Sequence, residues 1–405
     1  MLNQESLVIE QEQRQPRVAV DRILLTDFRS YERAEIRPEG RNAVFIGPNG
    51  AGKTNLLEAV SFLAPGRGLR QCKLSQAIRL GANGSWAVAG RLDTPDGQME
   101  VGTGLAPRNS SVSLAGRGED TLDRRIVRID GETVSGPAVL GDFLQVIWLT
   151  PQMDRLFLEA ASGRRKFLDR IVAGFHPAHT REVNAFEKVM RDRNRLLADG
   201  CGDGAWLSAL EARMAEHGVA VAAARLQALD HLAGAIEVTT SCFPRAHLAL
   251  DGELESALRE RPAVEVEETY AETLTRMRLQ DGRAGRTLAG PHRTDLLVRH
   301  VDKDMPAELC STGEQKALLI GITLASARLT ALHFGAAPVL LLDEVAAHLD
   351  ELRRASLFDE LWAIGSQVWM TGTDRSLFES LGDRAVMYRV DEGRINEDNQ
   401  NSESR

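Results

Sequence analysis

The octapeptide "GPNGAGKT" at positions 47–54 limits what this chain can fold into more than any other stretch. It fits G-x-x-x-x-G-K-[ST], with an apolar strand, "AVFI", before it and a helix, "NLLEAVSFL", after it. Strand, glycine turn and helix in that order aim successive backbone N–H groups at phosphate oxygens, with the positive end of the helix dipole behind them. Gly47, Gly50 and Gly52 let the backbone turn tightly, Pro48, Asn49 and Ala51 fill the loop, and Asn55 continues the helix. Lys53 is placed to reach the β- and γ-phosphates of a nucleotide, and the Thr54 hydroxyl to ligate Mg²⁺. A bare glycine turn would need none of these flanks.

A second strand carries the acids that such a loop requires. "PVLLLDE", 338–344, reads as a central parallel strand buried on both faces, ending in two carboxylates at the crevice where ligands bind. Asp343 is expected in the Mg²⁺ shell, and Glu344 is the candidate to orient or deprotonate the attacking water. Asp350, in "HLD", reads either as a contact across a subunit interface or as a plain surface turn.

Between these two stretches the pattern changes. Residues 17–152 are strand-rich, with hairpins expected at Pro95-Asp96-Gly97 and Asp130-Gly131. Residues 153–286 carry helical apolar spacing rich in Ala, Leu, Glu and Arg, broken by "GCGDG" at 200–204. Strand and helix alternate again over 287–392. The expected fold class is therefore α/β, split in sequence, with an inserted helical lobe shaped as a short antiparallel coiled coil. Residues 1–16 and 393–405 read as a disordered lead-in and a polar tail.

Composition narrows the partners. With 49 basic and 58 acidic residues the net charge is −9, which disfavours constant, sequence-blind attachment to nucleic acid. Local basic patches, or a face that becomes basic when two subunits meet, remain open. Cys72, Cys201, Cys242 and Cys310 lack the spacing of a zinc or redox motif, which fits a reducing cytoplasm. The N-terminus lacks the pattern of a secretory signal, and no run of about 18 apolar residues suggests a membrane span.

"CSTGEQKALLIGITLA", 310–325, places Ser-Thr-Gly-Glu-Gln at the start of an apolar helix. As letters alone this is a Ser cap with a Glu three residues on. It also resembles the signature segment of ABC-type ATPases. That resemblance implies that Ser311 and Gly313 close on the γ-phosphate of a nucleotide held by another subunit, giving a head-to-head dimer around two ATP molecules. It implies further that Gln152, after the strand "VIWLT", senses γ-phosphate and Mg²⁺, and that Thr371 and Thr373 lie where a switch residue could contact the γ-phosphate.

The wide separation of loop and signature, with neither a long heptad rod nor a Cys-x-x-Cys hook between them, resembles the RecF family of SMC/ABC-type ATPases. The resemblance rests on "LTDFRSYERAEIRPEGRNAVFIGPNGAGKTNLLEAVSFL", "TPQMDRLFLEAASGRRKFLDR", "LAGPHRTDL" and "CSTGEQKALLIGITLA" followed by "LLLDEVAAHLD". Three positions depart from the family pattern: Thr294 within "GPHRTD", Glu344 in the acid pair, and Gln152 where some relatives carry Glu. The resemblance implies an ABC-type ATPase head that binds single-stranded and gapped or double-stranded DNA as an ATP-induced dimer with slow hydrolysis, in DNA repair and replication restart. It also implies cooperation with RecO and RecR. Candidate backbone contacts are Arg67 and Arg70, Arg164 and Arg165, and Arg191, Arg193 and Arg195, with Arg29 nearer the nucleotide. The competing expectation is an ATPase of a transport or toxin module that does not bind DNA.

Overall fold

The computed structural model describes residues 17–105, 125–200 and 204–398. In chain order, β1 (Ala19–Phe28), β2 (Tyr31–Ile36), β3 (Asn42–Ile46) and α1 (Lys53–Ser61) are followed by β4 (Ala87–Thr94), β5 (Gly97–Leu105), β6 (Arg125–Ile129), β7 (Glu132–Thr133) and β8 (Val146–Leu149). Then come α2 (Ala161–Ala173), α3 (His179–Ala198), α4 (Gly204–Val238), β9 (Ala246–Asp251), α5 (Glu253–Glu260), α6 (Ala263–Arg276) and α7 (Arg278–Ala284). The chain returns through β10 (Asp295–His300), β11 (Met305–Pro306), α8 (Thr312–Phe334), β12 (Val339–Leu342), α9 (Glu351–Ile364), β13 (Val368–Gly372), β14 (Ala385–Asp391) and β15 (Arg394–Glu397). These form two compact units, one comprising the chain to Met153 and from Thr330 onward, the other Asp154–Leu329.

The first unit holds two six-stranded sheets. One is antiparallel, in the order β2-β1-β4-β5-β6-β7, and contains both expected hairpins. The other runs β15-β14-β3-β13-β12-β8, parallel except for β15. Its centre is apolar without alternation: Val339–Leu342 and Val368–Gly372 are buried throughout, as strands covered on both faces must be. Helix α1 shares one core with both sheets through Leu56, Val60 and neighbouring Phe62. There Phe45 stacks against Trp369 and Tyr388, with centroids 5.5 and 5.3 Å away. Residues 394–397, expected in a polar tail, instead pair with β14 as an edge strand.

In the second unit α3 and α4 run antiparallel. Glu182 meets His217 at 2.7 Å and Arg193 meets Glu211 at 3.0 Å, so the register falls on one helix as it rises on the other. Gly218 permits this approach, since a Cβ there would stand 3.3 Å from the Phe186 ring and 3.0 Å from Tyr270. The helical lobe expected over 153–286 also contains a strand, β9, which pairs antiparallel with β10. That pairing draws 287–329, expected in the C-terminal half of the head, into the second unit.

By length and composition α4 and α8 would also suffice to cross a membrane. Leu318, Leu319, Ile320 and Ile322 of α8 and Met214, Ala222 and Leu229 of α4 are instead buried in protein, which accounts for their apolarity.

Candidate nucleotide site

The loop between β3 and α1 is fixed by close approaches that only glycine allows. A Cβ on Gly47 would stand 2.1 Å from the Val390 carbonyl oxygen. Gly52 has φ 107°, and a Cβ there would lie 2.8 Å from both Ser30 Oγ and Tyr31 Oη. The Tyr31 hydroxyl donates to the Gly52 carbonyl at 3.1 Å, so the turn between β1 and β2 braces the loop from outside.

Lys53, 5% exposed, donates to the carbonyls of Gly47 and Pro48 at 2.8 and 2.9 Å. Burial lowers its pKa, against the pull of Glu344 and Asp343. The Thr54 hydroxyl lies 2.9 and 3.0 Å from the two carboxylate oxygens of Asp343. Thr371 Oγ1 donates to Asp343 Oδ1 at 2.7 Å and accepts from the Glu344 N–H at 2.9 Å. Burial raises the Asp343 pKa, opposed by the hydrogen bonds from Thr371 and Thr54. A hydroxyl and a buried carboxylate in direct contact form a set of hard oxygen donors, which fits Mg²⁺.

Glu344 follows with φ 55°, a left-handed conformation that costs a non-glycine residue about 1 kcal/mol or more. Thr371, at the end of β13, engages both acids that follow β12, the Asp343 carboxylate and the Glu344 N–H, whereas Thr373 lies exposed beyond β13.

Gln152 is exposed on a short turn, Pro151–Arg155, after β8. Leu149 of β8 is in register with Leu342 of β12, and the Asp343 N–H donates to the Leu149 carbonyl at 2.9 Å. Strands β8 and β12 thus end side by side, with Gln152 three residues beyond the end of one and the acid pair directly after the other. Asp350 caps α9, accepting from the Arg353 N–H at 2.8 Å.

In the second unit, Ser311 precedes α8. Glu314 accepts from its N–H at 3.0 Å and its hydroxyl at 2.8 Å. Lys303 binds the other Glu314 oxygen, and with Ser311 holds that carboxyl down to about 2. A Cβ on Gly313 would meet nothing within 4 Å, leaving open approach to the helix start.

The arginine expectations divide. Arg193 is fully buried, tied to Glu211 at 3.0 Å, Asp281 at 2.8 Å and the Leu274 carbonyl at 2.7 Å, so it cannot meet DNA. Arg70 and Arg29 both hold buried Glu58, a carboxylate the sequence reading did not single out. Arg29 therefore braces α1. Arg164 grips Asp295 with two bonds of 2.7 Å, and Arg165 donates to the Thr294 carbonyl at 2.8 Å. Thr294 itself donates to buried Glu255. Arg67, Arg191 and Arg195 are exposed.

The family model for the RecF/RecN/SMC N terminal domain matches residues 19–396. A DNA replication and repair protein RecF from Rhizobium leguminosarum bv. trifolii is 49% identical over 381 residues, covering 94% of this chain and 99% of that protein. The chain belongs to the RecF family. The RecF of Mesorhizobium japonicum is 50% identical over 378 residues, covering 93% of this chain and 97% of that protein. Among solved structures, the recombination mediator protein RecF-ATPrS in the RecFOR pathway matches with TM-score 0.80 at 20% identity, over 95% of this chain and all of that one. An Smc head domain from Pyrococcus furiosus, with an extended coiled coil and bound to the C-terminal domain of ScpA, matches with TM-score 0.51 at 16% identity, over 94% of this chain and 96% of that one. At these identities the structural matches speak for the fold. RecF-family membership rests on the sequence relatives and on the matched span.

Proposed function

We propose that this RecF-family chain binds ATP with Mg²⁺ in the loop from Gly47 to Asn55, dimerises around two such nucleotides, and uses slow hydrolysis to release DNA. Contact between the Thr54 hydroxyl and both oxygens of Asp343 carries the reading. It joins the loop to the acidic strand at the donors Mg²⁺ would use. Bound there, Mg²⁺ would offset the charge of the β- and γ-phosphates.

Each side chain then has a task. Lys53 exchanges its two loop carbonyls for phosphate oxygens. Glu344 orients the attacking water or takes its proton, with its backbone held by Thr371. Gln152, at the end of the neighbouring strand, reads the γ-phosphate. Ser311 and Gly313 of one subunit meet the γ-phosphate bound by the other, and Asp350 lies at the subunit contact. For Ser311 this requires the Glu314 carboxylate to yield, since it occupies the same N–H and hydroxyl.

The DNA part rests on the RecF relatives and on the exposed cations Arg67, Arg191 and Arg195. Single-stranded and gapped or double-stranded DNA are the substrates, RecO and RecR the partners, and the cytoplasm the site of action. Net acidity makes attachment depend on the dimer.

Replacing Glu344 with Gln keeps the volume and removes the base, so the variant is expected to accumulate as an ATP-bound dimer with turnover reduced at least 100-fold. Size-exclusion chromatography with saturating ATP checks this. A variant that stays monomeric while binding ATP contradicts the dimer.

A further inference from the structure

The arginines at 191, 193 and 195 suggest a basic run, but a helix shows a stripe. At about 100° per residue, Arg181, Lys188, Arg191 and Arg195 on α3 fall within an arc of about 80°, with Asn184 inside it. All five are exposed. Arg193 points roughly the opposite way, and its bonds to Glu211, Asp281 and Leu274 lock the rotation of α3. Glu182 adds a second lock through His217. The exposed acids Glu187 and Asp192 fall at the two edges of the arc. Glu187 touches Arg191 at 3.5 Å and Arg181 touches Glu182 at 3.4 Å, both at the surface. Among the described residues neither Lys188 nor Arg195 pairs with a carboxylate.

From this rigid placement we propose that the exposed stripe Arg181–Asn184–Lys188–Arg191–Arg195 of α3 is a DNA-binding surface that tracks the phosphodiester backbone. The inference rests on the DNA-binding reading above and deepens it by naming the surface. Charge complementarity commits the face to a polyanion, because four cations share one arc while the acids are held to its margins. The stripe is about 21 Å long at 1.5 Å per residue. That length spans roughly six phosphates of one strand at about 3.4 Å each. Arginine and lysine heads on an exposed helix read backbone charge and no base edge, so this surface contributes affinity without sequence preference.

The test is the salt dependence of binding, measured with the full chain, ATP and a fluorescent gapped duplex. Lys188→Ala combined with Arg195→Ala removes two of the releasing charges from each subunit, so the slope of log affinity against log salt should fall in magnitude by roughly two for each stripe that contacts the DNA. Glu187→Gln combined with Asp192→Asn should strengthen binding, a gain that a merely structural helix face would not give. Circular dichroism matching the wild type establishes folding of each variant. If the wild type binds and both double variants keep its slope and affinity, the stripe is not the surface. If the wild type fails to bind DNA at all, the DNA-binding reading falls, and the stripe with it.

Discussion

Asp343 is the residue on which the loop and the acidic strand of the candidate nucleotide site meet. Its carboxylate receives the Thr54 and Thr371 hydroxyls yet is buried enough that its pKa lies above the ordinary 3.8. A raised carboxyl takes up its proton at higher pH than a free aspartate, and once protonated it is a poor ligand for Mg²⁺. The Mg²⁺-dependent part of ATP affinity should therefore decline on acidification at a pH above the usual aspartate range. Thr371→Val removes a hydrogen bond that favours the charged form and should move the decline to still higher pH. Nucleotide titrations across pH, with Mg²⁺ and with chelator, check both statements. A decline that follows the ordinary aspartate value in both proteins contradicts the assignment. The proton linkage to folding has the opposite sign: the folded chain holds this proton more tightly than the unfolded one, so the Asp343 contribution to stability improves as pH falls through the same window.

At the scale of elements, helix α3 shows why a run of like residues misleads. Arg191, Arg193 and Arg195 alternate in the chain, but a 3.6-residue period sends the middle one inward. There its guanidinium neutralises Glu211 and Asp281 in the interior. Removing it strands buried charge, so Arg193→Ala should cost about 3–5 kcal/mol. Arg195→Ala, by contrast, should stay within about 0.5 kcal/mol. Urea unfolding of the full chain followed through helix signal distinguishes them, and equal midpoints would place Arg193 at the surface.

The same logic sets what could be read from letters alone. The strand–turn–helix at 47–54 and the buried strand ending in Asp343 and Glu344 were legible because each signal is local, a strand end with its polar residues attached. The stretch "AHLALD", after Pro244, carried only a short strand signal, with helical text following it, and its partner β10 lies far along the chain. The brace from Thr371 and the hold of Arg29 and Arg70 on Glu58 were not legible, since they depend on which strands and loops come together in space. The letters offer a Ser cap at 311, but the structure holds only its Glu half: Glu314 accepts from the Ser311 N–H and hydroxyl, and a signature role asks the same serine to change partners.

At the scale of the whole molecule, a chain of net charge −9 that still presents four exposed cations along one arc of α3 suits attachment that a second copy can switch. The central claim is that each nucleotide pocket is completed by the neighbouring molecule. It is tested most directly by mixing two inactive variants, Lys53→Met and Ser311→Arg, each shown to be folded. A mixed pair contains one pocket with intact Lys53 from one copy and intact Ser311 from the other. Equal amounts should recover ATP turnover up to roughly a quarter of the wild-type rate, as random pairing in a two-fold dimer predicts. A mixture that hydrolyses no faster than either variant alone would contradict the account.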